Sequence, residues 1–207
     1  MFKKILALSA VVLLLNACAT FGAKKDYSQM AAGRGTPSYF SNGETAVAFK
    51  TTSVIRDINL EGVLIIKSLD GGDYSVKIMG PMGTKIVDAA LINGKVSYDY
   101  VLPDINTGVI KSRFEKCIFA LLVPPGKVKK AKFKKDGTLE LRKEHVNGTT
   151  TYVYTDGASF PGSATSGSIT IAYSNYEPYA TQQLPYSIYY KDSFAEVDLN
   201  LELISIR

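Results

Sequence analysis

Apolar and polar residues alternate with a period of two along most of the chain from Thr45 onward. Tyr74, Val76 and Ile78 share one face against Ser75 and Lys77, and Val96, Tyr98 and Tyr100 oppose Ser97 and Asp99. Leu139 and Leu141 oppose Glu140 and Arg142, while Ile169, Ile171 and Tyr173 oppose Thr170, Ala172 and Ser174. The clearest run is the last, with Val197, Leu199, Leu201 and Leu203 against Asp198, Asn200 and Glu202. This period with one polar face predicts an antiparallel sheet wetted on one side. Residues 62–66 are apolar on both faces and predict a strand covered on both sides. Asp57-Ile58-Asn59-Leu60, Asp70-Gly71-Gly72-Asp73 and Asn93-Gly94 mark turns, the last two of hairpin type.

One segment breaks the alternation. Ile110, Phe114, Cys117, Ile118, Leu121 and Leu122 recur at helical spacing, and Ser112-Arg113-Phe114-Glu115 has the form of a capping box. Pro124-Pro125 ends the segment, because a residue before proline is kept out of the helical region. The expectation is an amphipathic helix over residues 112–123, between five strands and a second set of five or six. Its apolar face needs a partner, and the apolar face of the sheet supplies one.

The N-terminus has a different texture. Lys3 and Lys4 precede an apolar or small run over residues 5–15, too short for the ~20 residues that a bilayer span needs. Such a run behind two lysines reads as a signal peptide. Leu15-Asn16-Ala17-Cys18 follows it and resembles a lipobox, in which small Ala17 fits the peptidase and the Cys18 thiol takes the lipid. The expected organisation is a lipoprotein signal over residues 1–17, a lipid-anchored tether over 18–43 and one domain over 44–207. Ala19 rather than Asp after the cysteine implies the outer membrane, with the periplasmic face as the expected side. Membrane attachment through two or more acyl chains would be stable, where one chain is marginal.

Charge changes the picture only locally. Loss of Lys3 and Lys4 with the signal leaves 22 basic against 19 acidic residues, too mild an excess to argue for nucleic acid. Six lysines nevertheless crowd residues 127–135: Lys127, Lys129, Lys130, Lys132, Lys134 and Lys135. A solvated edge strand and a patch for anionic headgroups or an acidic partner are both open readings.

Candidate chemistry is sparse. With Cys18 lipidated, Cys117 stands alone among Phe114, Ile118 and Leu121 and reads as a buried small hydrophobe. His145, the one histidine, has no partner at metal-ligand spacing and reads as an exposed structural residue. Residues 157–168 are rich in Gly and Ser but lack the Lys-Ser/Thr ending of a phosphate loop. No catalytic set, metal site or cofactor is expected, and the chain is read as a non-enzyme and a monomer. The tyrosines of the second half, Tyr152, Tyr154, Tyr173, Tyr176, Tyr179, Tyr186, Tyr189 and Tyr190, read as core and cavity lining rather than as a membrane girdle.

Antiparallel strands, an inserted amphipathic helix and further strands behind a lipobox resemble the LolA/LolB superfamily and related uncharacterised envelope lipoproteins. The closest local match is Met79-Gly80-Pro81-Met82-Gly83-Thr84, similar to the Pro-Leu-Gly hairpin of the LolB-type members. The segments over residues 184–190 and 197–206 are similar to the family's last two strands. The resemblance implies a mainly β fold, a curved antiparallel half-open barrel with one or two α-helices covering the concave face. It also implies a binder of acylated or otherwise hydrophobic ligands, such as lipoprotein acyl chains, that receives them from a periplasmic carrier protein. In the family the hairpin leucine protrudes and helps deliver cargo to the membrane, and Met82 stands in its place. The predicted ligand cavity is bounded by Tyr74, Val76, Ile78, Val96, Tyr98, Tyr100, Phe114, Ile118, Leu121, Val197, Leu199, Leu201 and Leu203. It should have ligand size, ~300 Å³ or more. The alternative is an accessory envelope lipoprotein that uses the same sheet as a protein-interaction module.

Overall fold

The computed structural model describes residues 27–145 and 148–207; the signal segment and Cys18 lie outside them. Five strands come first: β1 (Ala46–Ile55), β2 (Ile58–Ser68), β3 (Tyr74–Met79), β4 (Lys85–Ile92) and β5 (Lys95–Val101). Seven follow the long helix: β6 (Val128–Phe133), β7 (Leu139–His145), β8 (Gly148–Tyr154), β9 (Ser163–Ser166), β10 (Ile169–Tyr179), β11 (Gln182–Asp192) and β12 (Val197–Ile206). The helices are a single turn, α1 (Ser28–Ala31), and α2 (Gly108–Leu122).

All twelve strands form one antiparallel sheet in the order β5-β4-β3-β2-β1-β12-β11-β10-β9-β8-β7-β6. The chain meanders outward from β1 to β5, crosses in α2, and meanders back until β12 pairs with β1, Val47 opposite Ile206. The sheet stays unclosed, with β5 and β6 as its edges. α2 joins those two edges, which is why the helix lies across the concave side. This is the mainly β half-open barrel that the alternation and the resemblance implied.

The register puts Phe49, Leu64, Ile78 and Val87 in one row across β1–β4, and Ile66, Val76, Ala89 and Tyr98 in the next. These are concave-face positions, and most are fully buried. Gly62 is required where β3 leaves the sheet: a Cβ there would lie 2.3 Å from the carbonyl oxygen of Met79. Asn93 and Gly94 both have positive φ, 50° and 72°, and make the two-residue turn expected between β4 and β5.

Three local expectations are corrected. The helix begins four residues before Ser112, at Gly108: Thr107 is its N-cap, its side chain accepting from the Ile110 N–H at 3.2 Å, so Ser112 is an interior, exposed residue. In β5, the register shift between Asp88 and Ala89 leaves Asp99 as an extra residue in a bulge. Tyr100 therefore lies opposite Asp88 on the convex face, beside the Lys85 ammonium at 6.0 Å, and not with Tyr98. His145 is half-buried rather than exposed. Its Nε2 lies 3.2 Å from the Val123 carbonyl, which can only accept, so Nε2 carries the proton and closes the C-terminal end of α2.

Residues 34–42 do not hang free as a tether. The Arg34 guanidinium donates to the Ala158 carbonyl, the Gly35 amide donates to Ser159, and Tyr154 donates to Gly35 at 3.0 Å. Tyr39 is buried edge-on against Phe49 and donates to Pro185 at 2.6 Å. This strap runs over the concave face from β8 past β11 to β1 and β3, where Phe40 lies 5.1 Å from Tyr74. The β7–β11 half is filled by the strands' own Tyr152, Tyr154, Tyr173 and Tyr190. In the β1–β5 half, the face is filled by aliphatic residues and the first half of α2.

Candidate functional site

The aliphatic half holds the site. Ile86, Val87, Ala89, Ile105 and Ile110 form a small apolar cluster apart from the main core, with Ile55, Leu60, Ile78, Tyr98, Val101, Phe114 and Val197 packed around it. Between these walls and the first three turns of α2 is a cavity of about 50 Å³. One water needs roughly 10–15 Å³ measured the same way, so the space is a narrow trough a few waters in size. The sequence expectation of a ligand-sized cavity is thus corrected. Ile110, Phe114 and Cys117 line the trough from the helix side.

Of the residues expected at the cavity, Ile78, Tyr98, Phe114, Val197 and Leu199 line it. Val76, Ile118 and Leu201 are fully buried in the main core, with Tyr74, Val96 and Leu203 half-buried at its margins. Leu121 faces a smaller gap between residues 36–38 and Pro124-Pro125. Thr51, Ser53 and Ile55 of β1, and Ile86, Val101 and Ile105, also line the trough and were not foreseen. The polar pair in β1 had masked the alternation that would have placed that strand's inward face.

Polar groups hold the helix over this trough at three points. Tyr98 donates to the Lys111 carbonyl at 2.8 Å and Tyr190 to the Arg113 carbonyl at 3.2 Å. Arg113 Nε lies 3.3 Å from Oδ2 of Asp192, whose side chain is completely buried. The other carboxylate oxygen of Asp192 accepts from Ser168 at 2.7 Å and from the Phe194 amide at 3.0 Å. The Arg113 guanidinium also lies 4.8 Å from the centre of the Phe194 ring.

Thr51 is the odd group in the trough. It is buried, and its hydroxyl has no hydrogen-bond partner among the described residues. An orphaned buried hydroxyl costs ~1–3 kcal/mol. Thr51→Val keeps the shape and removes that cost, so the chain should gain about 1 kcal/mol, read as a higher denaturant midpoint. A lower midpoint would show that the hydroxyl is satisfied in solution.

Burial pushes the Cys117 thiol up to about 12 and Tyr152 up to about 12, and pushes Tyr39, Tyr98, Tyr154, Tyr173, Tyr176 and Tyr190 up as well. Each of these groups holds its proton more tightly folded than unfolded. Their contribution is therefore complete below the unfolded values, about 8.5 for the thiol and 10 for the phenols, and is lost as pH rises through the folded values. The melting temperature should stay level to about pH 8.5 and fall steeply between about 9 and 12. A flat profile to pH 11 would contradict the burial of these groups.

The Met82 turn stands at the end of the sheet nearest the trough. By register, the β1–β2, β3–β4, β9–β10 and β11–β12 turns share that end with the start of β6. Met82 is fully exposed and sits in the left-handed region, φ 57°, between Pro81 and Gly83. Phe194, at 69% exposure, occupies the β11–β12 turn of the same end. No helix among the described residues is long and apolar enough to cross a membrane, and no acidic, His and Cys side chains among them group as a metal site.

No protein-family model matches the sequence, and no curated protein matches it. Solved structures do match the fold. A LolA superfamily protein from Nitrosomonas europaea superposes with a TM-score of 0.53 at 10% identity, over 87% of this chain and 90% of that one. The chain has a LolA-type fold. A Vibrio parahaemolyticus domain assigned to outer-membrane lipoprotein sorting matches at 8% identity and TM-score 0.46, over 87% and 89% of the two chains. A DUF1329 family protein from Desulfovibrio piger matches at 6% identity and TM-score 0.47, over 80% and 86%. Within the LolA-type fold, the trough lies between the concave face and the helix that joins the two edges of the sheet.

Proposed function

We propose that this chain is a lipid-anchored envelope protein that binds an acyl chain or another apolar ligand between α2 and the concave face, then passes it to a membrane. The observation that carries this reading is the trough itself. It is an almost wholly apolar surface covered by one helix, and the cover is fastened at a few polar points. Closing the trough with side chains of α2 gives a resting state; a ligand would displace Phe114 and Ile110 and lie against Ile78, Val87 and Val197. Transfer follows a gradient of apolar burial, at ~25 cal/mol per Å² removed from water, with the bilayer as the deepest sink. Cys18 would carry the anchor at the periplasmic face of the outer membrane, a soluble periplasmic carrier would supply the cargo, and Met82 would lead the delivery.

Truncating the plug separates binding from packing. Phe114→Ala should lower stability by about 3 kcal/mol, because a half-filled site loses a ring. The same variant should bind a fluorescent fatty acid several-fold more tightly, because the plug no longer competes with the ligand. Equal or weaker binding would contradict an acyl site at this place. The second reading, a protein-interaction module, is favoured by the small volume of the closed trough and predicts no fatty-acid binding in either form.

A further inference from the structure

Strand β6 is one free edge of the sheet, and the lysine run spans it and its two flanks. Two of the six lysines are neutralised: Lys129 pairs with Glu144, and Lys134 with Glu140 at 2.6 Å. Lys127, Lys130, Lys132 and Lys135 are exposed and make no ion pair among the described residues. Lys130 lies directly opposite Arg142 in the register, an arrangement of like charges that a sheet does not favour. A lysine or two is enough to guard an edge strand against pairing, so the run exceeds what the fold needs.

Two further placements say what the run faces. Turn α1 packs beside β6, with Met30 and Ala31 joining the apolar cluster that includes Val128 and Ala131. Cys18 lies ten residues before Ser28, a reach of at most about 35 Å even when fully extended. An anchor at Cys18 thus keeps α1, and β6 beside it, within about 35 Å of the bilayer, near enough for the lysines to reach its surface. The Lys127 end of β6 is also at the end of the sheet that bears Met82.

We infer that the unpaired lysines in and beside β6 bind anionic phospholipid headgroups of the membrane that holds the anchor. They seat the domain on that surface with its Met82 end toward it. This rests on the anchored-carrier reading and adds to it a surface, a partner chemistry and an orientation. Each basic residue near an anionic surface strengthens binding by about fivefold, and the effect fades within a Debye length, about 10 Å at 0.1 M salt.

The test uses the chain from residue 18 onward with Cys18→Ala, so that no acyl group contributes. Binding is measured to phosphatidylcholine vesicles with and without about 30% phosphatidylglycerol, at low salt and at about 0.5 M salt. Binding should need phosphatidylglycerol and vanish at high salt. Lys127→Gln, Lys130→Gln and Lys132→Gln together should lower the partition constant about 100-fold. Lys50→Gln, Lys67→Gln and Lys95→Gln, which remove the same charge elsewhere, should lower it less than about threefold. No preference for anionic vesicles would overturn the inference and turn attention to an acidic protein partner. An equal loss from the control set would overturn it too, by showing that only net charge acts. Failure of the anchor reading is read separately, from whether Cys18→Ala removes the chain from the membrane fraction of cells.

Discussion

Met82→Glu should leave the fold and ligand binding intact while cutting transfer of ligand to vesicles roughly 10- to 100-fold. Met82 is fully exposed, so its replacement should shift stability by no more than about 0.5 kcal/mol. The left-handed backbone at φ 57° penalises Met and Glu alike, so it adds nothing to the difference. That conformation is itself informative, because a glycine would relieve it and a fully exposed side chain contributes nothing to the core. Strain kept at an exposed apolar tip points to use outside the fold. An apolar tip that enters hydrocarbon gains ~1.5–3 kcal/mol, whereas a carboxylate is penalised by a similar amount or more. The paired assays are ligand retention without membranes and ligand release to vesicles. Equal loss in both would make Met82 a packing residue, and no loss in either would remove it from the mechanism.

Arg113→Met should destabilise the chain by about 3–5 kcal/mol. The substitution leaves Asp192, whose side chain has no exposed surface, without its cation. Ser168 and the Phe194 amide still donate to one carboxylate oxygen, but the other faces only the vacated guanidinium. Adding Asp192→Asn should recover most of the loss, since the amide no longer carries an uncompensated charge. Denaturant unfolding of the two variants decides it. A double variant as unstable as Arg113→Met would mean that Arg113 acts through its contact with Phe194 and not through the ion pair.

How much of this was legible before folding follows from the physics of each element. Period-two alternation declared the strands, since one face of this sheet is wet and the other dry. Asn93-Gly94 declared its turn through positive φ, and Pro124-Pro125 declared the helix end. The helix start was hidden, because Gly108 and Val109 are weak helix formers and Ser112-x-x-Glu115 imitated a cap that Thr107 supplies. The β5 bulge was invisible: Val96, Tyr98 and Tyr100 alternate without fault in sequence, and only the pairing shows that one residue is unopposed. The strap over residues 34–42 has the composition of a linker, and the tertiary contacts of Tyr39 and Arg34 fix it in place. The Arg113–Asp192 pair joins a helix to the end of a strand 79 residues away, a partnership that no local pattern carries. At the candidate site, the alternation put Ile78, Tyr98, Val197 and Leu199 on one sheet face, and the helical spacing put Phe114 on the apolar side of the helix. The expected ~300 Å³ exceeds the trough found, because side-chain packing sets the volume and periodicity does not report it.

The central claim is that the trough under α2 receives an apolar ligand. Native mass spectrometry of the protein, purified from cell envelopes and stripped gently of detergent, tests it most directly. The account predicts a 1:1 complex with a lipid or an acylated molecule, more abundant in Phe114→Ala than in the parent chain. Only the mass of the chain with its covalent anchor in both proteins, with no non-covalent partner and no uptake of added fatty acid, would contradict it.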